Sequence, residues 1–387
     1  MIDAGRIPLA LYVHLPWCVR KCPYCDFNSH AVPAGGFAEQ AYVQALLEDL
    51  EYAVPRASGR AVVAVFFGGG TPSLFAPDSI RRVLDGARRL LSFNADAEVT
   101  LEANPGTIEH GRFSDYAAAG VNRVSLGAQS FDDTRLAALG RIHSAGDIER
   151  AVGELHAAGI TNFNLDLMYA LPGQDAAGAL RDLERALELG PTHVSHYQLT
   201  LEPDTPFAKR PPDGLPDEDS AWAMQVGCQS RLAAAGYEQY EVSAYARPGR
   251  RCRHNLNYWE YGDYLGIGAG AHGKLTLAPS GEIERTICAR HPAAYLAARS
   301  ARERLSEIRR VAPADLPFEF GLNALRLVEG FSEQRFEERT GLPRSALRPA
   351  VQQAASRGLL SWHDGIWQPT ALGHRFLNDL QALFLPA

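Results

Sequence analysis

Short apolar runs alternate with longer amphipathic stretches along the first half of the chain. Runs of about four to eight β-branched and aromatic residues are typical of strands, whereas apolar positions spaced by three and four residues are typical of helices. Amphipathic stretches such as residues 37–54 and 77–91 lie between the apolar runs. The sequence predicts six strands, at residues 9–15, 62–67, 98–103, 123–126, 163–168 and 194–199.

This alternation predicts a parallel sheet whose strands are joined by right-handed helical crossovers. Six strand–helix units are fewer than the eight of a closed barrel of this kind. We therefore predict an α/β fold built on a partial (β/α)6 barrel. In such barrels the functional side chains lie at the carboxyl ends of the strands.

The pattern changes to consecutive helices after about residue 309. Asp364-Gly365 between two aromatic-containing runs then predicts a hairpin. Helices followed by such a hairpin are typical of a small winged-helix-like α+β domain. Pro349 lies within the helix that would read DNA, and no dense basic face is evident, so packing or docking is favoured over DNA binding. The predicted organisation is a barrel at 1–246, a connecting segment at 247–308 and a C-terminal domain at 309–387.

The composition is that of an acidic globular protein. The 387 residues are 46% apolar and 21% charged, with a formal net charge of −7 and a pI near 6.0. This balance argues against general binding to nucleic acid or anionic membranes. The chain shows no signal peptide, and no apolar run approaches the roughly 18 residues of a membrane helix. We expect a cytoplasmic protein, with peripheral membrane association left open.

Three of the six cysteines, Cys18, Cys22 and Cys25, follow the first predicted strand with the spacing C-x3-C-x2-C. A close cluster in a large chain without a secretion signal indicates metal or redox chemistry more than disulfides. Thiolates bind both zinc and iron–sulfur clusters. A structural zinc site would take His14 or His30 as its fourth ligand. A [4Fe–4S] cluster on three thiolates would leave one iron open for a small chelating ligand.

Glycines and isolated polar residues follow the later predicted strands. The segment GGGTP at 68–72 comes directly after the second strand, where glycines let the backbone approach a ligand closely. Taken singly, each polar residue is explained by a structural role at a strand end, with its hydrogen bonds satisfied within the protein. Together they lie where such a barrel binds its ligand, and an acid there can hold a ribose hydroxyl while an arginine pairs with a carboxylate. These residues are Glu102, Gln129, Arg141 and Asp166.

The segments LYVHLPWCVRKCPYCDF and GGGTP, in this order, resemble the signature of radical S-adenosylmethionine (SAM) enzymes. The resemblance implies that Cys18, Cys22 and Cys25 hold a [4Fe–4S] cluster whose open iron binds the methionyl part of SAM. One electron from the cluster then cleaves the sulfonium of SAM. The later segments LEANPG, RVSLGAQSF, GRIHS, DLMYALPGQ and HYQLTLEPDTPF resemble, more narrowly, the oxygen-independent coproporphyrinogen III oxidase branch.

This narrower resemblance implies two groups of SAM-binding residues. Tyr12, Gly69 and Glu102 match residues that contact the SAM bound to the cluster. The oxidase also has a second SAM site, and whether this protein uses one is left open. The residues that match the second site are Tyr24, Gly70, Thr71, Gln129, Arg141, Asp166 and Thr200.

Two features depart from the oxidase. Phe27 stands where the oxidase has a further cysteine, and the first predicted strand begins close to Met1, where the oxidase has an extension. Both features, together with the H-N-x-x-Y-W element at 254–259, resemble the HemW-type heme chaperones. This implies a protein that binds heme and transfers it to hemoproteins such as respiratory cytochromes. Oxidase activity is the alternative and is not expected; a zinc-stabilised nucleic-acid-binding protein is the third interpretation.

Heme binding requires an axial ligand, aromatic or apolar walls and cations for the propionates. In the light of the resemblance, His254 is the candidate iron ligand, with Cys252 as its rival and with Tyr258 and Trp259 as aromatic neighbours. His272 follows in a glycine-rich loop, where it either lines the SAM cavity or turns a corner. The expected partners are heme, acceptor hemoproteins and a one-electron donor such as flavodoxin or ferredoxin, without nucleic acid. A homodimer is left open.

Overall fold

The computed structural model describes residues 2–107 and 112–386 and places most of the strands in one large sheet. The strands are β1 (Leu9–Leu15), β2 (Trp17–Cys18), β3 (His30–Ala31), β4 (Val62–Gly69), β5 (Phe93–Ala103), β6 (Arg123–Gln129), β7 (Phe163–Tyr169), β8 (His193–Gln198), β9 (Glu238–Glu241), β10 (Ala244–Ala246), β11 (Asp263–Ile267), β12 (His272–Thr276), β13 (Ile283–Cys288), β14 (Leu305–Arg310), β15 (Phe331–Ser332), β16 (Leu360–His363) and β17 (Ile366–Pro369). The α-helices are α1 (Glu39–Ala53), α2 (Pro77–Leu90), α3 (Arg112–Ala119), α4 (Asp133–Ala138), α5 (Ala145–Ala157), α6 (Ala176–Glu188), α7 (Pro206–Lys209), α8 (Glu218–Ala234), α9 (Arg253–Trp259), α10 (Pro292–Ala297), α11 (Ala301–Arg304), α12 (Leu316–Ala324), α13 (Glu333–Thr340), α14 (Arg348–Ser356), α15 (Ala371–Arg375) and α16 (Leu377–Ala382).

Within the described residues the large sheet has twelve strands, in the order β14-β13-β12-β11-β1-β4-β5-β6-β7-β8-β10-β9. Neighbours from β11 through β1 and β4 to β8 pair in parallel. Both edges of the sheet are antiparallel. The two ends of this strand order, β14 and β9, do not pair in the described part of the chain, so the sheet is open. The prediction of an α/β partial barrel is confirmed.

β11 is a parallel strand that the sequence pattern did not predict. Asp263–Ile267 pairs with β1 on the side opposite β4. The strand is short and lies among glycines, so it carries little local signal, and its pairing depends on a partner more than two hundred residues earlier in the chain. β12, β13 and β14 then extend the sheet by antiparallel pairing. The predicted connecting segment at 247–308 therefore contributes strands to the main sheet.

A buried ionic cluster attaches β11 to its surroundings. The Asp263 carboxylate pairs with Arg60 Nη1 at 2.5 Å and with Lys274 Nζ at 2.8 Å. It also accepts hydrogen bonds from the backbone N–H and the hydroxyl of Thr276, at 2.6 and 3.1 Å. Although burial opposes ionisation, Lys274 and Arg60 hold the pKa of Asp263 below its usual range. This carboxylate therefore links β11 and β12 to residue 60, just before β4.

The C-terminal residues form a smaller α+β unit with its own apolar core. Phe320, Phe331 and Phe336 lie in this core with other apolar side chains of α12, α13 and α14. β15, β17 and β16 form a three-stranded sheet, in which Asp364 and Gly365 turn the predicted hairpin with φ values of 46° and 85°. The predicted winged-helix-like arrangement of helices and hairpin is confirmed. Among the described helices, none combines the length and the apolar character required to cross a membrane.

Candidate functional site

The carboxyl ends of the parallel strands surround one cavity of about 140 Å³. Since parallel strands end at the same edge of a sheet, polar residues that are far apart in sequence meet there. The cavity opens into a neighbouring cleft of about 550 Å³, and Phe27, Gly69 and Glu102 line both. The predicted site residues that line the cavity are Cys18, Cys22, Tyr24, Cys25, Gly69, Gly70, Thr71, Glu102, Gln129, Arg141 and Asp166.

The three clustered cysteines face this cavity from a loop after β1. Cys18 ends β2, and the backbone N–H of Cys25 donates to the Cys22 carbonyl at 3.1 Å. All three are free thiols, partly exposed, and each has a polar neighbour. The contacts join Thr71 Oγ1 to Cys18 Sγ at 3.4 Å, Arg141 Nη1 to Cys22 Sγ at 3.8 Å, and Ser29 Oγ to Cys25 Sγ at 3.7 Å.

Two observations bear on the zinc site that the sequence left as an alternative. In the described residues, no group of three or more His, Cys, Asp or Glu side chains converges closely enough to hold a single metal ion. His14, a predicted fourth zinc ligand, already has its Nδ1 at 2.9 Å from the Tyr12 hydroxyl and its Nε2 at 3.0 Å from the Asn28 carbonyl. A cluster binds each thiolate through a different iron atom, so its ligands need not meet at one point.

The glycine run lets the end of β4 pack directly against the cysteine loop. Gly69 has a φ of +113°, and a Cβ atom there would lie 2.5 Å from the His14 ring. A Cβ atom on Gly70 would lie 2.6 Å from the Trp17 carbonyl oxygen. The sequence predicted close approach to a ligand at this point. The structure shows that Gly70 is also required for the approach of the protein's own backbone, and that Gly69 leaves room for the His14 ring.

Two carboxyl groups with raised pKa values face the cavity. Burial, together with the nearby charge of Asp166, raises the pKa of Glu102 to about 8. Glu102 Oε2 accepts a hydrogen bond from the Gly69 N–H at 3.2 Å. Burial also raises the pKa of Asp166, against hydrogen bonds from Asn164 at 2.8 Å and Ser125 at 3.1 Å. Because ionised carboxylates here lack bulk water, a bound cation would stabilise them.

The remaining predicted SAM residues differ in position. Tyr12 lines the neighbouring cleft. Gln129 has a φ of +70°, and its Oε1 accepts a hydrogen bond from the Tyr197 hydroxyl at 3.0 Å. Thr200 is exposed after β8 and does not line the cavity. Ser29 and Tyr197 were missed by the sequence analysis. Ser29, four residues after the third cysteine, had a positional signal, whereas Tyr197 needed the register of β8.

The H-N-x-x-Y-W element forms α9, which fills the interior of the open barrel. His254 is 2% exposed, and its ring stacks on Phe66 at 4.6 Å and on Tyr12 at 6.1 Å. Neither of its ring nitrogens has a hydrogen-bond partner among the described residues. Burial lowers the pKa of His254 to about 3, so the ring is neutral. The structure therefore places this imidazole inside the barrel and not at a surface.

The other predicted heme residues are also engaged in protein contacts. The buried Cys252 thiol donates to Glu98 Oε1 at 3.4 Å. The Arg326 guanidinium lies over the Trp259 ring at 4.3 Å. Tyr258 reaches the cleft beside the cysteine loop. Two arginines next to this element in the sequence are engaged in ion pairs: Arg251 pairs with Glu329 at 2.6 Å and Arg253 with Asp96 at 2.7 Å.

Comparison with known proteins assigns the family. Residues 12–207 match the model of the radical SAM superfamily, and residues 311–376 match that of the HemN C-terminal domain. Over 378 residues the chain is 50% identical to the heme chaperone HemW of Escherichia coli, with 98% of each chain covered. It is 48% identical over 382 residues to the heme chaperone HemW of Haemophilus influenzae, again with 98% of each covered. The chain belongs to the HemW family.

A solved structure of the E. coli coproporphyrinogen III oxidase HemN, a radical SAM enzyme, has the same fold. Its TM-score is 0.81 at 23% identity, covering 98% of this chain and 90% of that one. Phe27 is the position at which the sequence analysis expects a difference from the oxidase. That ring is 65% exposed, between the cysteine loop and the adjoining cleft.

Proposed function

We propose that this protein is a heme chaperone, which binds heme and transfers it to acceptor hemoproteins such as respiratory cytochromes. The observation that carries this proposal is the 50% identity, over 98% of both chains, to a protein named heme chaperone HemW. The likeness to coproporphyrinogen oxidase is one of fold, at 23% identity. Phe27 also puts a phenyl ring where the oxidase pattern has a thiol.

We propose further that Cys18, Cys22 and Cys25 hold a [4Fe–4S] cluster whose open iron binds SAM. The support is that three soft sulfur ligands line one cavity beside a glycine-rich strand end. When bound, the cluster supplies the electron that cleaves the sulfonium of SAM. Glu102 and Tyr12 would orient SAM in the cavity and the adjoining cleft. Hydrogen bonds from Thr71, Ser29 and Arg141 to the sulfurs would stabilise the reduced cluster.

We also propose a second SAM site. Tyr24, Gly70, Thr71, Gln129, Arg141 and Asp166 all line the same cavity, as a second site would require. Thr200, which the sequence also assigned to it, lies outside the lining. The electron donor, a homodimer and a cytoplasmic location stay predictions from the sequence.

One anaerobic sample tests the proposed function. The purified protein is reconstituted with iron and sulfide, analysed for both elements, and titrated with ferric heme. It is then incubated with SAM, a reductant and coproporphyrinogen III. We expect about four irons per chain, saturable heme binding, heme transfer to an apocytochrome, and no protoporphyrinogen. Oxidase turnover at enzymatic rates, or the absence of saturable heme binding, would refute the proposal.

A further inference from the structure

In the folded protein, neither of the two heme-iron ligands that the sequence predicts is accessible. Both nitrogens of His254 lie inside the barrel, between Phe66 and Tyr12, and the Cys252 thiol is buried against Glu98. A porphyrin is too wide to enter a close-packed interior without displacing α9. The heme site must therefore be sought where an imidazole meets an open apolar surface.

His272 meets this requirement. It begins β12, is exposed, and lines two neighbouring clefts of about 550 and 510 Å³, which share its side chain and that of Ile287. Each cleft has the size of an ordinary cofactor pocket, about 300–1,000 Å³. We call their joined surface the His272 groove. Its lining includes Phe27, His272, Ile287, Arg290, Phe318 and Leu322.

Several exposed apolar side chains line the groove. Phe27 is 65% exposed at one end, and Leu322 and Leu385 are 44% and 53% exposed at the other. Tyr258 of the H-N-x-x-Y-W element packs edge-on against Tyr264 at 4.4 Å, and both line the first cleft. Clustered exposed apolar side chains mark binding surfaces. Flat rings and branched aliphatic groups suit the faces of a porphyrin.

The iron and the propionates of heme also find complementary groups. No hydrogen-bond partner of the His272 ring is found in the described part of the chain, so the imidazole is not committed elsewhere. Partial desolvation of the ring within the groove, then the positive charges of Arg285 and Arg290, lower the pKa of His272, which favours the neutral ring. Neutral imidazole is a common iron ligand of heme. Arg290 is exposed at the rim and has no ion pair with any described carboxylate.

We propose that heme lies in the His272 groove, with His272 bound to its iron and Arg290 paired with a propionate. This inference rests on the proposed function as a heme chaperone. It places the cargo beside the cysteine loop, at the His272 end of the first cleft, whose lining residues Tyr12 and Glu102 would contact SAM. It also gives the H-N-x-x-Y-W element a supporting role, through the Tyr258 wall, in place of direct ligation by His254.

The test titrates reconstituted wild-type protein and single variants with ferric heme under anaerobic conditions. His272→Ala should lower the affinity at least tenfold and abolish the absorption and resonance Raman signature of histidine-ligated heme. Added imidazole should restore that signature. His363→Ala, which removes an exposed histidine on β16 far along the chain from the groove, is the matched control and should behave as the wild type. Iron content and melting temperature establish that each variant is folded, and His272→Gln replaces the alanine variant if that one is unstable.

The outcomes separate the two proposals. If wild-type protein binds no heme, the chaperone function and the groove both fail. If wild-type protein binds heme but His272→Ala leaves affinity and ligation unchanged, only the groove fails. The same holds if His254→Ala alone removes the histidine signature. Arg290→Ala should weaken heme binding several-fold without altering the iron ligand, and should not affect binding of heme dimethyl ester, which lacks free propionates. An equal loss for both porphyrins would refute the propionate contact.

Discussion

Glu102→Gln tests whether ionisation of a buried carboxyl group in the candidate SAM site lowers the free energy of unfolding. Burial and Asp166 raise the pKa of Glu102 to about 8 in the folded protein, from 4.5 for an exposed glutamate. Because the folded state holds the proton more tightly, ionisation of the unfolded chain favours unfolding as pH rises from 4.5 to 8. Each pH unit in that interval costs about 1.4 kcal/mol. Between pH 6 and pH 9 the wild type should therefore lose up to about 3 kcal/mol that the glutamine variant keeps.

The assay is urea-induced unfolding of cluster-free protein at pH 6 and pH 9. Other titrating groups cancel in the difference between wild type and variant. Glutamine keeps an acceptor for the Gly69 N–H, so the backbone contact survives. Glu51→Gln, an exposed position on α1, controls for the loss of one charge and should follow the wild type. The reasoning is refuted if Glu102→Gln and wild type lose the same stability between the two pH values. The same variant should bind SAM more weakly, because it removes the carboxyl group whose ionised form a bound cationic ligand would stabilise.

Three further predictions concern the cysteine loop and the sheet. Cys22→Ala should lose the cluster iron yet keep the far-UV circular dichroism of the wild type, because the large apolar core does not include the loop; an unfolded variant would contradict this. Thr71→Val should lower the cluster midpoint potential by roughly 40 mV, the equivalent of about 1 kcal/mol for one hydrogen bond. Thr71→Ser should restore it, and an unchanged potential in the valine variant would exclude the contact to Cys18. Asp263→Asn should destabilise the protein by about 3–5 kcal/mol, since it leaves two buried cations unpaired. Because folding lowers the pKa of Asp263, its stabilising contribution is present above the pKa of the unfolded carboxyl and is lost as pH falls through the pKa of the folded state. The measurement is the urea midpoint of unfolding between pH 7 and pH 3. Equal acid sensitivity of the wild type and the Asp263→Asn variant would contradict this prediction.

Much of the fold was predictable because its signals are local. The six predicted strands correspond to β1 and β4 to β8, and each has an apolar run that pairing and burial explain. The Asp364-Gly365 turn was predictable because both residues tolerate positive φ. β11 was not, because its stabilising contacts with β1 and with Arg60 are separated from it by roughly two hundred residues.

Some residues of the candidate site could likewise be predicted from local sequence signals, whereas others depended on the tertiary structure. The cysteine cluster and the glycine run each follow a predicted parallel strand. Because parallel strands end at the same edge of a sheet, these motifs alone predict that their residues line one cavity. The identities of Thr71 and Ser29 as sulfur donors depended on how the loop returns to its own start, which spacing does not specify.

The heme residues separate the two kinds of information most clearly. The sequence alone establishes that the chain carries the radical SAM cysteines, a phenylalanine in place of a further thiol, and the H-N-x-x-Y-W element. Only the packing of α9 against β1 and β4 buries His254, while the antiparallel extension of the sheet leaves His272 exposed beside Phe27. Both are histidines near glycines and aromatics in the sequence. Their accessibility differs because exclusion of solvent is a property of the assembled layers, to which residues distant in the chain contribute.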